Sequence, residues 1–167
     1  MIRKIISKSE IKRKVKEIAE KIERDFAGRE IIMVGILKGS FIFLSDLIRE
    51  ISLPVKCDFM RVSSYKGKKQ EKIKVDFLNS IPLKGKNVII VEDIIDTGNT
   101  LRKIVKEIEK KKPETIKVCV LLVKKKKRKK KFKIDYVGFE IPDKFVVGYG
   151  LDYKEKYRNL DYIGYIK

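Results

Sequence analysis

With 167 residues and 43% hydrophobic content, the chain is long enough for one domain with a buried core and too apolar for disorder. It contains no histidine and only Cys57 and Cys119, which excludes histidine triads, histidine bases and a structural zinc site and points to reduced, buried thiols. No apolar run approaches the ~18 residues of a membrane span and no signal-peptide core opens the chain; its net charge of +19 leaves polyanionic partners or a lysine-rich proteome as explanations.

Ser7-Lys8-Ser9-Glu10 has the form of a helix capping box. Ile11, Val15, Ile18, Ile22 and Phe26 follow at spacings of three and four, predicting an amphipathic helix that stops near Gly28. Ile31–Leu37 is a short apolar run of the kind found in central parallel strands. Lys38-Gly39-Ser40 breaks it, and a second helix is expected through Phe41, Leu44, Ile48 and Ile51, ending before Pro54. GILKGS lacks the spacing and the closing Gly-Lys-Ser/Thr of a P-loop. It is either a plain strand–helix connection or a turn whose backbone N–H groups and lysine bind an anion.

Val55–Arg61 reads as a strand, and Ile73, Val75 and Phe77 alternate with polar residues as in an antiparallel strand with one wet face. The stretch between them, Val62–Glu71, is polar and glycine-containing, and a mobile loop is expected there, either an unstructured tip or a lid. Pro82–Asn87 is a turn. Thr115–Val123 is a strongly apolar strand, and Tyr136–Phe139 a short one. Between them Lys124–Lys131 is a run of eight cations, a solvated loop or a nucleic-acid tail, in which only Lys124 sits at the strand's end.

The most informative stretch is Val88–Thr100. Val88–Val91 suits a buried strand, Glu92 and Asp93 follow, then Asp96, Thr97 and Gly98. From Asn99 a helical pattern runs through Leu101, Ile104, Val105 and Ile108 to about Lys112. A turn entering a helix directs unpaired N–H groups and the positive end of the helix dipole forward. With the hydroxyls of Thr97 and Thr100, and Gly98 for close approach, this makes a phosphate cradle. The paired acids suit sugar hydroxyls or a hard cation such as Mg²⁺. The competing interpretation is an ordinary turn with solvated acids.

VEDIIDTG, residues 91–98, resembles the phosphoribosyl-pyrophosphate (PRPP) motif of type I phosphoribosyltransferases. Asp96, after two variable apolar residues, is similar to the hypoxanthine-guanine branch. LKGS and the tail Phe139–Tyr165 resemble further motifs of that branch, so the likeness covers nearly the whole chain.

The alternation of helices with buried apolar strands predicts an α/β fold with a mainly parallel twisted sheet flanked by helices, and the resemblance implies the same fold with a core over about 9–138. A small hood would come from the N-terminal residues and about 139–167. It implies ribose-5-phosphate transfer from PRPP to N9 of hypoxanthine or guanine, with Mg²⁺, in a cytoplasmic homo-oligomer. Asp96 would be the base. Glu92, Asp93, Asp96, Thr97, Gly98, Asn99 and Thr100 would hold PRPP, and Lys38, Gly39 and Arg158 the pyrophosphate. Lys124, Phe145, Val146 and Asp152 would hold the purine, and Glu92, Asp93 and Asp152 the metal. Ser63, Ser64 and Tyr65 would belong to a closing loop. Phe145 and Val146 read equally well as core strand. Asn99 and the polybasic run depart from the family pattern. The alternative is an RNA-binding regulator on the same scaffold, for which the run has no aromatic platforms.

Overall fold

The computed structural model describes residues 1–66, 71–77, 81–125 and 133–166. Strand β1 (Ile2–Ile6) leads into helix α1 (Lys8–Asp25). The capping box is formed: Ser7 Oγ accepts the Glu10 N–H at 3.3 Å, and Glu10 Oε2 accepts the Ser7 N–H at 2.8 Å. Strand β2 (Ile31–Leu37), helix α2 (Phe41–Arg49), β3 (Val55–Lys66), β4 (Glu71–Phe77) and β5 (Asn87–Ile95) follow. Helix α3 (Asn99–Glu109), β6 (Thr115–Lys124), β7 (Tyr136–Ile141), β8 (Val146–Val147) and β9 (Ile163–Ile166) complete the order.

Six strands form one sheet in the order β4-β3-β2-β5-β6-β7, parallel except for the β3–β4 pair. Both faces are covered, as the unbroken apolar strands require. Alternation along β2 sends Ile31 and Met33 to the face shared with α1 and α2, and Ile32, Val34 and Ile36 to the face under α3. The chain leaves β2 for β3 on one side and leaves β5 for β6 on the other. The order therefore reverses between β2 and β5, and a crevice opens at their carboxyl ends.

Four expectations are corrected. The helix expected through Ile51 ends at Arg49, and its buried residues are Phe43, Leu44 and Leu47, with Phe41 exposed; in an apolar FIFL opening, period alone does not choose the inward face. The polar stretch after Arg61 is not loop as far as Glu71: β3 runs on to Lys66, pairing Ser63 with Lys74, Ser64 with Ile73 and Tyr65 with Lys72. Backbone pairing holds that ladder, so it needs no apolar anchors. Cys57 is only partly buried, although Cys119 is fully so and both are free thiols. The boundary at 138/139 falls inside β7, whose Phe139–Ile141 belong to the large sheet. A second, three-stranded sheet, β1-β9-β8, joins the first residues to the tail. Residues 67–70 and the basic run from 126 onward lie outside the described residues. No helix among those described is long and apolar enough to cross a membrane.

Candidate active site

The switch point brings together the two turns that carry chemistry. At the end of β2 the Leu37-Lys38 peptide is cis. The next residue, Gly39, packs on the end of β5 so closely that a Cβ there would lie 1.8 Å from Asp93 Oδ2. From the other side the tail closes in, and a Cβ on Gly150 would lie 2.2 Å from the Gly39 carbonyl oxygen.

At the end of β5 the chain turns through Asp96-Thr97-Gly98 into α3. Gly98 is the N-cap at φ +82°, a conformation that favours glycine, and no side chain caps the helix. The first-turn N–H groups of α3 have no partner within the helix. Among the described residues the Asn99 N–H is met locally, by Thr97 Oγ1 at 3.4 Å. Thr97, Gly98 and Thr100 line a hollow of about 80 Å³ together with Glu92 and Asp96.

A larger cleft, about 290 Å³, adjoins it and shares Ile94 and Asp96 as its wall. Asp93, Lys124, Phe145, Val146 and Asp152 line the rest. Lys124 ends β6 with its side chain only 12% exposed, its Nζ 3.9 Å from Asp96 Oδ2 and 3.4 Å from Asp143 Oδ1. Phe145 is 56% exposed and meets Tyr153 edge-on, with ring centroids 5.7 Å apart. Val146 is buried in the small sheet. Phe145 is therefore no core residue, and Val146 is one.

Arg158 is fixed beside the cleft. Its Nη1 donates to the Gly150 carbonyl at 2.7 Å, and its Nη2 pairs with Asp152 Oδ1 at 2.9 Å. Its buried Nε has no partner among the described residues. A hollow of about 420 Å³ behind α2, lined by Tyr149, Asp46 and Arg49 among others, contains none of the predicted site residues.

The match to the phosphoribosyl transferase domain covers residues 3–154. A hypoxanthine-guanine phosphoribosyltransferase of Aquifex aeolicus is 48% identical over 159 residues, 93% of this chain and 89% of that protein. A hypoxanthine phosphoribosyltransferase of Salmonella typhimurium is 41% identical over 164 residues, 96% of this chain and 92% of that protein. The crystal structure of a hypoxanthine-guanine phosphoribosyltransferase from Bacillus anthracis, with a HEPES molecule in its active site, superposes with TM-score 0.93 at 45% identity. That superposition covers all of both chains. The chain belongs to the phosphoribosyltransferase family.

In this phosphoribosyltransferase the three acids expected around a metal do not form one cluster. Asp93 and Asp152 line the cleft, whereas Glu92 lines the smaller hollow, within hydrogen-bond reach of Asp93. Among the described residues no group of three or more carboxylate, thiol or imidazole side chains is arranged to hold a metal alone. Asp93 and Asp152 on the cleft wall are the kind of donor pair that fits a hard cation bound through one or two carboxylates plus substrate oxygens. Two contributors were not anticipated from sequence: Asp143, which holds Lys124, and Glu155, which holds Lys38 at 2.8 Å.

Burial, and then the Asp93 charge, pushes Glu92 well above the usual carboxylate range. Burial also raises Asp93, against hydrogen bonds from Glu92 and the Ile94 N–H and the charge of Arg158. The folded chain thus holds these protons more tightly than the unfolded chain. The linked stability is present below the unfolded value, about 4, and is lost as pH rises through the raised values. In EDTA, Glu92→Gln should melt a few degrees higher than the parent at pH 8, with the gap closing towards pH 4. Thermal melts across that range check this; an equal gap throughout would contradict it.

Proposed function

We propose that this phosphoribosyltransferase moves ribose-5-phosphate from PRPP to N9 of hypoxanthine or guanine, forming IMP or GMP and releasing pyrophosphate. One observation carries the reading: Asp96 stands on the wall between a phosphate-sized hollow and a cleft with a cation on one side and a half-exposed aromatic ring at its rim.

A 6-oxopurine presents O6 next to N7 on one edge. Lys124, nearly buried, supplies a donor for O6, and the Asp96 carboxylate beside it accepts the proton of an N7–H tautomer. Taking up that proton leaves N9 the better nucleophile. Phe145 offers its face to the ring. The 5′-phosphate sits on the N–H groups and hydroxyls at residues 97–100. Lys38, Gly39 and Arg158 take the pyrophosphate, Arg158 with two donors in a fixed fork. Mg²⁺ on the substrate's oxygens, next to Asp93 and Asp152, would neutralise charge on the leaving group. As the bond to pyrophosphate lengthens, the anomeric carbon gains cationic character and must be kept from water.

The β3–β4 hairpin supports a lid for that purpose. β3 pairs with β2 only as far as Arg61 opposite Leu37, then runs on with β4 beyond the sheet's carboxyl edge, carrying Ser63, Ser64 and Tyr65 with it. Two free thiols accord with a reducing cytoplasm.

Adenine carries an N6 donor where the oxopurines carry O6, which would leave Lys124 facing a donor. Nucleotide formation from PRPP and Mg²⁺ with hypoxanthine, guanine, xanthine and adenine tests the reading. Turnover is expected with hypoxanthine or guanine, and adenine should be poorer by about a hundredfold or more. No product from either oxopurine, or equal use of adenine, would overturn it.

A further inference from the structure

Glu155 is absorbed by none of the roles above, yet it touches both cations of the pyrophosphate seat. Its Oε2 lies 2.8 Å from Lys38 Nζ and its Oε1 3.3 Å from Arg158 Nη2. Lys38 and Glu155 are 117 residues apart in sequence, so the pair joins the β2 turn to the tail. The tail is held in an uncommon backbone shape to do this: Lys154, Glu155 and Tyr157 have φ of 50°, 61° and 77°, in the left-handed region that non-glycine residues rarely adopt. The Glu155 N–H donates to Asp152 Oδ2 at 2.9 Å, which ties its position to the cleft wall. The Lys38 hydrogen bond and the two positive charges keep its carboxyl below the usual range, so it is an anion at neutral pH.

We propose that Glu155 is a stand-in anion: it occupies the pyrophosphate seat of the free protein, and the leaving group must displace it to reach Lys38 and Arg158. This rests on the pyrophosphate role given to those two residues above. The side chain is 65% exposed, so it can swing into solvent without uncovering apolar surface. Arg158, only 19% exposed and anchored to Gly150 and Asp152, stays in place. Displacement weakens pyrophosphate binding by the strength of two partly exposed ion pairs. When Glu155 returns it competes with bound pyrophosphate for the same donors and hastens its release. A residue that only propped the tail would act in the opposite sense, because its loss would loosen Arg158 and weaken the seat.

The test is calorimetric titration of the full chain with magnesium pyrophosphate, comparing the parent with Glu155→Gln and Glu155→Ala, with thermal melts to verify folding. Both variants should bind pyrophosphate more tightly, by about fivefold. Pyrophosphate should inhibit the forward reaction at correspondingly lower concentration. The gain should shrink in 0.5 M KCl, where exposed charges are screened. Equal or weaker binding by both folded variants would overturn the stand-in role while leaving the transferase reading intact. A parent chain that binds no pyrophosphate would overturn both.

Discussion

Asp96→Asn is expected to lower turnover by about a hundredfold or more while leaving PRPP affinity within a few-fold of the parent. Asparagine keeps the size and one carbonyl oxygen, so the wall between the phosphate hollow and the cleft is preserved. It loses the charge that makes the carboxylate a proton acceptor. It also loses the anion facing Lys124, but Asp143 lies closer to that lysine, at 3.4 Å against 3.9 Å, and continues to hold it. The defect should therefore fall on kcat and be steepest for the step in which N9 attacks. Steady-state kinetics with varied PRPP and varied base separate the terms. Unchanged kcat would remove Asp96 as the base, and a large rise in the KM for PRPP alone would make it a phosphate-site residue instead.

Gly39→Ala should be at least as damaging, for a different physical reason. The backbone of Gly39 does not lie in the left-handed region, so alanine is conformationally allowed there. The obstacle is space: the added carbon would overlap Asp93 Oδ2 at 1.8 Å. Either the turn moves away from β5 or the Asp93 carboxylate rotates out of the cleft, and both displace groups of the proposed site. A shift near 1 Å at such a site costs on the order of a hundredfold in rate. Because Asp93 is already buried and raised, forcing it to turn also disturbs its hydrogen bond from the Ile94 N–H. The expected result is a kcat/KM at least a hundredfold lower with a fold that still gives a cooperative melt. Activity close to the parent would mean that the two turns are not in contact.

Much of the frame follows from local pattern. The capping box of α1, the apolar run of β2 and the strand-turn-helix around Val88–Thr100 each depend on residues close in sequence, and periodicity reveals them. Period does not choose the inward face of α2, because its opening is apolar all round. The reach of β3 is not legible in the sequence, because a ladder of backbone bonds leaves little trace in polar residues. Pairing across long separations is invisible to such patterns: Asp143 with Lys124, and Glu155 with Lys38, become neighbours only once the sheet and tail are built. The division of Glu92 and Asp93 between two hollows is of the same kind. Adjacent acids look like one ligand pair in sequence, yet only Asp93 lines the cleft, with Glu92 beside it in the smaller hollow. Phe145 and Val146 read alike in sequence, and the edge of β8 separates them, one ring out and one side chain in.

In the proposed function the bend from β5 into α3 grips a phosphorylated sugar. A crystal structure of the chain with IMP or GMP and Mg²⁺ tests it most directly. The 5′-phosphate should rest on the N–H groups and hydroxyls of residues 97–100, with the base between Lys124 and Phe145. A phosphate seated instead at the Lys38-Gly39 turn, or a base outside the cleft, would contradict the account.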